Sequence, residues 1–114
     1  MPTQTAPSFS NLKPHEAELL AHLQEEAAEI VMAISKAERH GLASSHPAPG
    51  SKDNRFEIAR ELGQLMAIAG TMIGLGMLDE WVIEFGRTEK LTKFNTYSHH
   101  VKVDPVTEAI EIVK

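Results

Sequence analysis

Apolar residues recur every three or four positions along residues 16–40, a stretch that contains no proline or glycine. This spacing places their side chains on one side of an α-helix. The repeating positions are Leu19, Leu20, Leu23, Ala27, Ile30, Val31 and Ile34. The pattern predicts a helix of about seven turns that begins near Pro14 and ends at Gly41. Asn11 or Ser10 is the expected cap at its start.

A second amphipathic helix is predicted after a polar loop. The loop, residues 42–53, contains two prolines, one glycine and three serines. Loops of about this length are typically functional or mobile. Asp53 or Asn54 is the expected cap of the helix that follows. Its apolar stripe consists of Ile58, Leu62, Leu65, Ile68, Ala69, Met72 and Ile73. We expect the two long helices to pack as an antiparallel pair.

The remainder of the chain predicts a third helix and a less regular end. Asp79 is the expected cap, and the helix is predicted to run to about Phe94. Its large apolar residues available for burial are Trp81, Val82, Phe85 and Leu91. In the last segment, residues 101–103 resemble a short strand, whereas the residues from Pro105 onward also fit one or two helical turns.

These elements predict an all-α protein in three parts: a flexible N-terminal arm (1–13), a helical domain (14–97) and a C-terminal extension (98–114). Four Phe, one Trp and one Tyr supply little bulk for a large core. We therefore expect a helical bundle that is completed by oligomerisation, as a homodimer first and a homotetramer second.

Length and charge exclude several classes of function. With 114 residues the chain is one domain in size, and its net charge of −5 disfavours binding to nucleic acid or to an anionic membrane. No apolar run reaches the roughly 18 residues that span a bilayer, and the first residues lack the features of a secretory signal. No cysteine is present, so thiolate chemistry is excluded. We expect a cytoplasmic protein.

Acidic residues are the densest chemical signal. Glu25, Glu26 and Glu29 lie on or beside one face of the first helix, and Glu57 and Glu61 lie four apart on the second. A solvated acidic face is the commoner fate of the first three alone. Facing helices, however, commonly build carboxylate metal sites, and carboxylate oxygens are the ligands that Mg²⁺ prefers.

In these motifs the chain resembles the all-α nucleoside triphosphate pyrophosphatases of the MazG type. The resemblance covers about residues 14–97 and is strongest to the short, single-domain proteins often encoded by phages. Its main motifs are Glu25-Glu26-x-x-Glu29 and Glu61-Leu62-Gly63-Gln64. Further shared positions are His40-Gly41, His46-Pro47, Asn54-Arg55, Lys90, Lys93 and His99-His100.

The resemblance implies hydrolysis of a ribo- or deoxynucleoside triphosphate to the monophosphate and pyrophosphate, in host cytoplasm if the chain is phage-encoded. A purine substrate such as dGTP is one candidate.

The resemblance also implies a bound Mg²⁺ ion, with Mn²⁺ as the alternative, on Glu26, Glu29, Glu61 and Gln64. Glu25 and Glu26 are the implied catalytic residues, with Glu25 as a ligand or as the base acting on water. The implied substrate-binding residues are Lys36, Arg39, His40, Asn54, Arg55, Lys90, Lys93 and Asn95. Taken singly, each of these basic residues is more commonly a solvated charge.

One position departs from the family pattern. Gln64 stands where the family has Asp, and an amide brings no negative charge to a metal. Three interpretations stay open: activity persists with Glu57 or Asp53 supplying the charge, the protein binds nucleotides without hydrolysing them, or Gln64 is an introduced change that traps substrate. A purely structural helical oligomer is a further hypothesis.

Overall fold

The computed structural model describes residues 11–114. Three helices, α1 (Pro14–His40), α2 (Asn54–Gly74) and α3 (Glu80–Tyr97), are followed by two short strands, β1 (Val101–Val103) and β2 (Ile110–Ile112). The predominantly helical character agrees with the all-α prediction, apart from this small sheet. None of the described helices combines the length and the apolarity required to cross a membrane.

The helix starts show which cap predictions were correct. Asp53 accepts the Phe56 N–H at 2.9 Å and Asp79 accepts the Trp81 N–H at 2.8 Å, so both predicted caps are confirmed. The cap of α1 is Lys13 rather than Asn11, and Ser10 lies outside the described residues. The carboxylate of Glu16 replaces a capping side chain because it accepts the Lys13 N–H at 2.8 Å.

The end of α1 is joined to the start of α2 by hydrogen bonds. Gly41 ends α1 at a φ of 92°, a value that favours glycine. The Asn54 side-chain amide donates to the Gly41 carbonyl at 2.9 Å, and the Asn54 N–H donates to the Ser44 carbonyl at 2.9 Å. A bridge also pairs Ser45 with Asp53. The loop between the helices is therefore tied to both of them, and α2 returns antiparallel along α1.

The structure consists of two compact units, the first ending at Met77 and the second being Leu78–Lys114. In the first unit α1 packs against α2, and the buried residues include Ala33 and Met72 together with two acids, Glu26 and Glu61. The core of this helix pair therefore contains carboxylates as well as apolar side chains.

The second unit consists of α3 and an antiparallel hairpin. The strands pair Val101 with Ile112 and Val103 with Ile110. The predicted strand at 101–103 is confirmed, but the helical turns considered from Pro105 onward do not form. Instead, the Asp104 carboxylate accepts the N–H groups of the second and third residues after it, at 2.8 and 3.0 Å, and this turn directs the chain back as β2. α3 also continues to Tyr97, three residues beyond its predicted end.

Much of the predicted apolar surface is exposed. On α1, Leu23 and Ile30 are half-buried, whereas Val31 is 62% exposed. On α2, Met66 is 70% exposed. The expected burial of the α3 aromatics does not occur within this chain, since Trp81 is 83% exposed. One stripe of each long helix thus covers its neighbour while a second apolar stripe faces outward.

Candidate metal centre

Three carboxylates from two helices converge in the first unit. Glu26 and Glu29 extend from α1 and Glu61 extends from α2, and one oxygen of each lies within 4.8 Å of the other two. Glu26 is only 8% exposed and Glu61 only 6%, whereas Glu29 is exposed. We call these three residues the acidic cluster. Its donors are all oxygens, the set that Mg²⁺ and Mn²⁺ accept.

Helical spacing explains how buried acids come to lie in this packed interface. Glu26 lies three residues after Leu23 and four before Ile30, both of which are half-buried. Glu61 lies in the same way between two half-buried α2 residues, Ile58 and Leu65. Apolar packing on either side therefore fixes the two carboxylates and keeps most water away from them.

The clearest electrostatic anomaly is at Glu26. Its Oε2 atom is buried and has no hydrogen-bond partner in the structure. Burying an unpaired carboxylate oxygen is costly, and such an atom calls for a compensating cation or hydrogen-bond donor. A cation shared with Glu29 and Glu61 meets that requirement, so the residues present fit a divalent ion.

Gln64 contacts the acidic cluster directly. The surrounding groups orient its amide with the nitrogen toward the acids, where it donates to Glu26 Oε1 at 2.9 Å and to Glu61 Oε1 at 3.3 Å. The amide oxygen accepts from Arg60 at 3.3 Å. In this arrangement the Gln64 amide links the two buried carboxylates to the Arg60 guanidinium. An Asp at the same position would not do this, because a carboxylate cannot donate a hydrogen bond to the acids.

Arg60 is a functional candidate that the sequence analysis missed. One guanidinium nitrogen lies 3.2 Å from Glu57 Oε1 and 3.8 Å from Glu61 Oε1. The available signal was its spacing, three residues after Glu57 and four before Gln64, which places it on the same side of α2. The negative charge of the cluster is thus partly balanced by a residue of the same helix.

The Glu29 carboxyl group is perturbed by its neighbour. A hydrogen bond with Glu61, followed by the negative charge of Glu61, raises the pKa of Glu29 above its ordinary value of 4.5. Arg60 opposes this shift only weakly. Two carboxyl groups this close favour sharing a proton when no cation separates them.

Glu25 is not brought into the acidic cluster. Its side chain is 75% exposed and lies 4.0 Å from the Nδ1 atom of His22. Of the two residues predicted as catalytic, only Glu26 therefore lies at the convergence point. Adjacent positions on a helix point about 100° apart, and the packing of α1 on α2 selects Glu26.

A basic pocket of about 560 Å³ lies at the end of the helix pair. Four of the predicted substrate-binding residues line it: Lys36, Arg39, His40 and Asn54. The loop adds Lys52, His46 and three serines, Ser44, Ser45 and Ser51, and the serines were not predicted. Glu57 lines the same pocket and bonds to Arg60, which in turn lies 3.8 Å from Glu61 of the acidic cluster. The pocket therefore adjoins the acidic cluster. Arg55 does not line the pocket, and its nearest acid is Asp53 at 3.8 Å.

The remaining predicted substrate-binding residues belong to the second unit. Asn95 uses both ends of its amide on the backbone of Val103, donating at 2.7 Å and accepting at 3.1 Å. The Lys90 ammonium lies over the ring of Phe94, 5.5 Å from its centre. Lys93 lines a shallow surface depression of α3. These contacts give Asn95 a clear role in attaching the hairpin to α3.

Comparison with protein-family models, with curated proteins and with solved structures finds no match for this chain. The MazG-type resemblance therefore stays a hypothesis that depends on the motifs, and the site is interpreted from its own geometry.

Proposed function

We propose that this chain is a divalent-metal-dependent nucleoside triphosphate pyrophosphohydrolase. The observation that carries the proposal is the buried, unpartnered Oε2 atom of Glu26 in a cluster with Glu29 and Glu61. Such an arrangement is unfavourable by itself and becomes favourable around a divalent cation. Mg²⁺, or Mn²⁺ in its place, is the proposed ion.

The basic pocket supplies the complementary half of the proposal. Lys36, Arg39 and Lys52 bring positive charge to a polar, serine-rich cavity that adjoins the acidic cluster. Cationic side chains and hydroxyl groups are typical ligands of phosphate oxygens. We propose that this pocket binds the β- and γ-phosphates and so directs the α-phosphorus toward the cluster.

The division of labour follows from this placement. A bound divalent ion supplies charge neutralisation and a water of lowered pKa. Glu26 and Glu61 would hold it from buried positions, and Glu29 would do so from the solvent side. Lys36 and Arg39 hold the leaving pyrophosphate, so positioning and electrostatics supply most of the rate. Glu25 is given no part because its side chain extends into solvent.

A nucleotide-binding protein without turnover is the second candidate, and a specific observation favours it. Gln64 brings a neutral amide to the cluster, and Arg60 lowers its negative charge further. Both features weaken the attraction for cations.

The decisive experiment is a pyrophosphate-release assay with a panel of ribo- and deoxynucleoside triphosphates, including dGTP, and with Mg²⁺ or Mn²⁺ in turn. The proposal expects turnover that a chelator abolishes. Binding of a nucleotide without release of pyrophosphate, measured by calorimetry on the same protein, would instead establish the second candidate.

We further propose that the protein is a homodimer, with a homotetramer as the next alternative. By the 3.6-residue repeat, the exposed Leu20, Val31 and Ile34 share the side of α1 that lies opposite Glu29, and the exposed Leu62 and Met66 are neighbours on α2. A second copy would cover these residues. Sedimentation equilibrium should give twice the chain mass, and Val31→Glu should yield monomers; a wild-type monomer would contradict the proposal.

A further inference from the structure

Arg60 has a position that the proposed chemistry does not use. Its guanidinium contacts three groups on α2: Glu57 at 3.2 Å, the Gln64 amide oxygen at 3.3 Å and Glu61 at 3.8 Å. These are oxygen atoms, the same kind of donor that a divalent cation requires. The side chain of Arg60 is about half exposed.

The remaining donors are the carboxylates of the acidic cluster itself. Glu26 Oε2 is buried without a partner, and Glu26, Glu29 and Glu61 each place a carboxylate oxygen within 4.8 Å of the others. Among the described residues, Arg60 therefore pairs with Glu61 of the cluster, while the buried Glu26 Oε2 has no donor.

We propose that Arg60 acts as a built-in cation that restricts the acidic cluster to a single divalent ion. The guanidinium takes the place of a second ion between Glu57, Glu61 and Gln64. Gln64 suits this arrangement, because its amide both donates to Glu26 and Glu61 and accepts from Arg60, which a carboxylate cannot do. Arg60 is a positioning residue: it acts through the carboxylates and not on substrate.

The inference rests on the metal centre of the proposed function but is tested without any turnover. Metal-free protein is titrated with Mn²⁺, and the unbound ion is counted by its electron paramagnetic resonance signal. The wild-type chain should bind one Mn²⁺. Arg60→Gln should bind two, since it frees the oxygens of Glu57, Glu61 and Gln64.

Two matched variants separate this role from a general change of charge. Arg60→Lys keeps a cation at the position and should bind one ion. Arg55→Gln removes the same charge from the same helix, away from the cluster, and should also bind one. Circular dichroism of each variant reports whether the helices are retained.

Each result decides the proposal. Two ions on the wild-type chain, or one ion on Arg60→Gln, would overturn it. One ion on the wild-type chain and two on Arg60→Gln, without any pyrophosphate release from the wild type, would contradict the proposed hydrolase and support the role of Arg60. No bound Mn²⁺ on either chain would overturn both.

Discussion

The two units of this protein treat their carboxylates in opposite ways. In the first unit, Glu26 and Glu61 are buried next to like charge, and Glu26 keeps an oxygen without a partner. In the second unit, Glu108 is exposed and receives two hydrogen bonds from Arg87, at 2.9 and 3.2 Å. The exposed acid has both oxygens paired, whereas one of the two buried acids keeps an unpaired oxygen.

This difference separates structural from functional use of charge. The Arg87–Glu108 pair is bidentate and fixes the turn of the hairpin to α3, which is an ordinary structural task. A buried, under-compensated cluster costs stability and persists where another interaction compensates it. A bound cation is the compensation that we propose, and three experiments would break or sharpen this contrast.

The largest expected effect is on turnover. Glu61→Gln keeps the size of the side chain but removes the buried carboxylate, and we expect pyrophosphate release to fall by about 100-fold or more. Glu29→Gln should have a similar effect. Glu108→Gln makes the same change in charge in the second unit and should leave turnover within about twofold. Equal rates in Glu61→Gln and Glu108→Gln would remove the cluster from the site.

The next effect is stabilisation by metal. Because a folded-state ligand adds free energy by mass action, Mg²⁺ at about 100 times its Kd should stabilise the protein by about 2.7 kcal/mol. Thermal unfolding with Mg²⁺ and with a chelator measures this. Glu26→Gln removes the negative charge and replaces one carboxylate oxygen with an amide nitrogen. This variant should lose most of the increase in Tm that Mg²⁺ causes, whereas Glu108→Gln should keep it. An increase of the same size in Glu26→Gln would show that Mg²⁺ binds elsewhere.

The smallest effect is an opposite dependence on pH. In metal-free protein the hydrogen bond and charge of Glu61 raise the pKa of Glu29, so the stability contributed by Glu29 is present below pH 4.5 and is lost as the pH rises through the raised value. The hydrogen bond and charge of Arg87 lower the pKa of Glu108. The stability that Glu108 contributes is therefore present above pH 4.5 and is lost as the pH falls through the lowered pKa.

Carboxyl-carbon NMR titration tests both signs in one sample. The midpoint of Glu29 should lie above 4.5 and that of Glu108 below it. Mg²⁺ should lower the Glu29 midpoint and leave Glu108 unchanged, while Arg87→Gln should move only the Glu108 midpoint, toward 4.5. A Glu29 midpoint at or below 4.5 in metal-free protein would contradict the contact with Glu61.

Much of the fold follows from local sequence rules. Asp53 and Asp79 were identifiable as caps because a carboxylate before an apolar periodic segment satisfies free N–H groups. The end of α1 at Gly41 followed from the positive φ that glycine tolerates. The cap at Lys13 and the turn after Asp104 were not predicted, because each depends on a hydrogen bond that competes with an equally plausible local alternative.

The candidate site was only partly predictable. Glu26, Glu29 and Glu61 were identified from spacing, and the structure brings them together. Glu25 was grouped with them because residues three and four apart lie near one another on a helix, and spacing alone does not say which member faces α2. Arg60 was missed because an Arg among acids on a helix is usually a solvated ion pair.

The sequence alone determined where the three helices lie, that two of them are amphipathic, and that acidic residues recur at helical spacing on both. These properties depend on local hydrogen bonding and on periodicity. Only the tertiary structure decided which side of each helix is covered. That choice buries Glu26 and Glu61, exposes Glu25, places Arg60 against the cluster and leaves a second apolar stripe outward. Burial and charge pairing are properties of helices packed together, and no single helix specifies them.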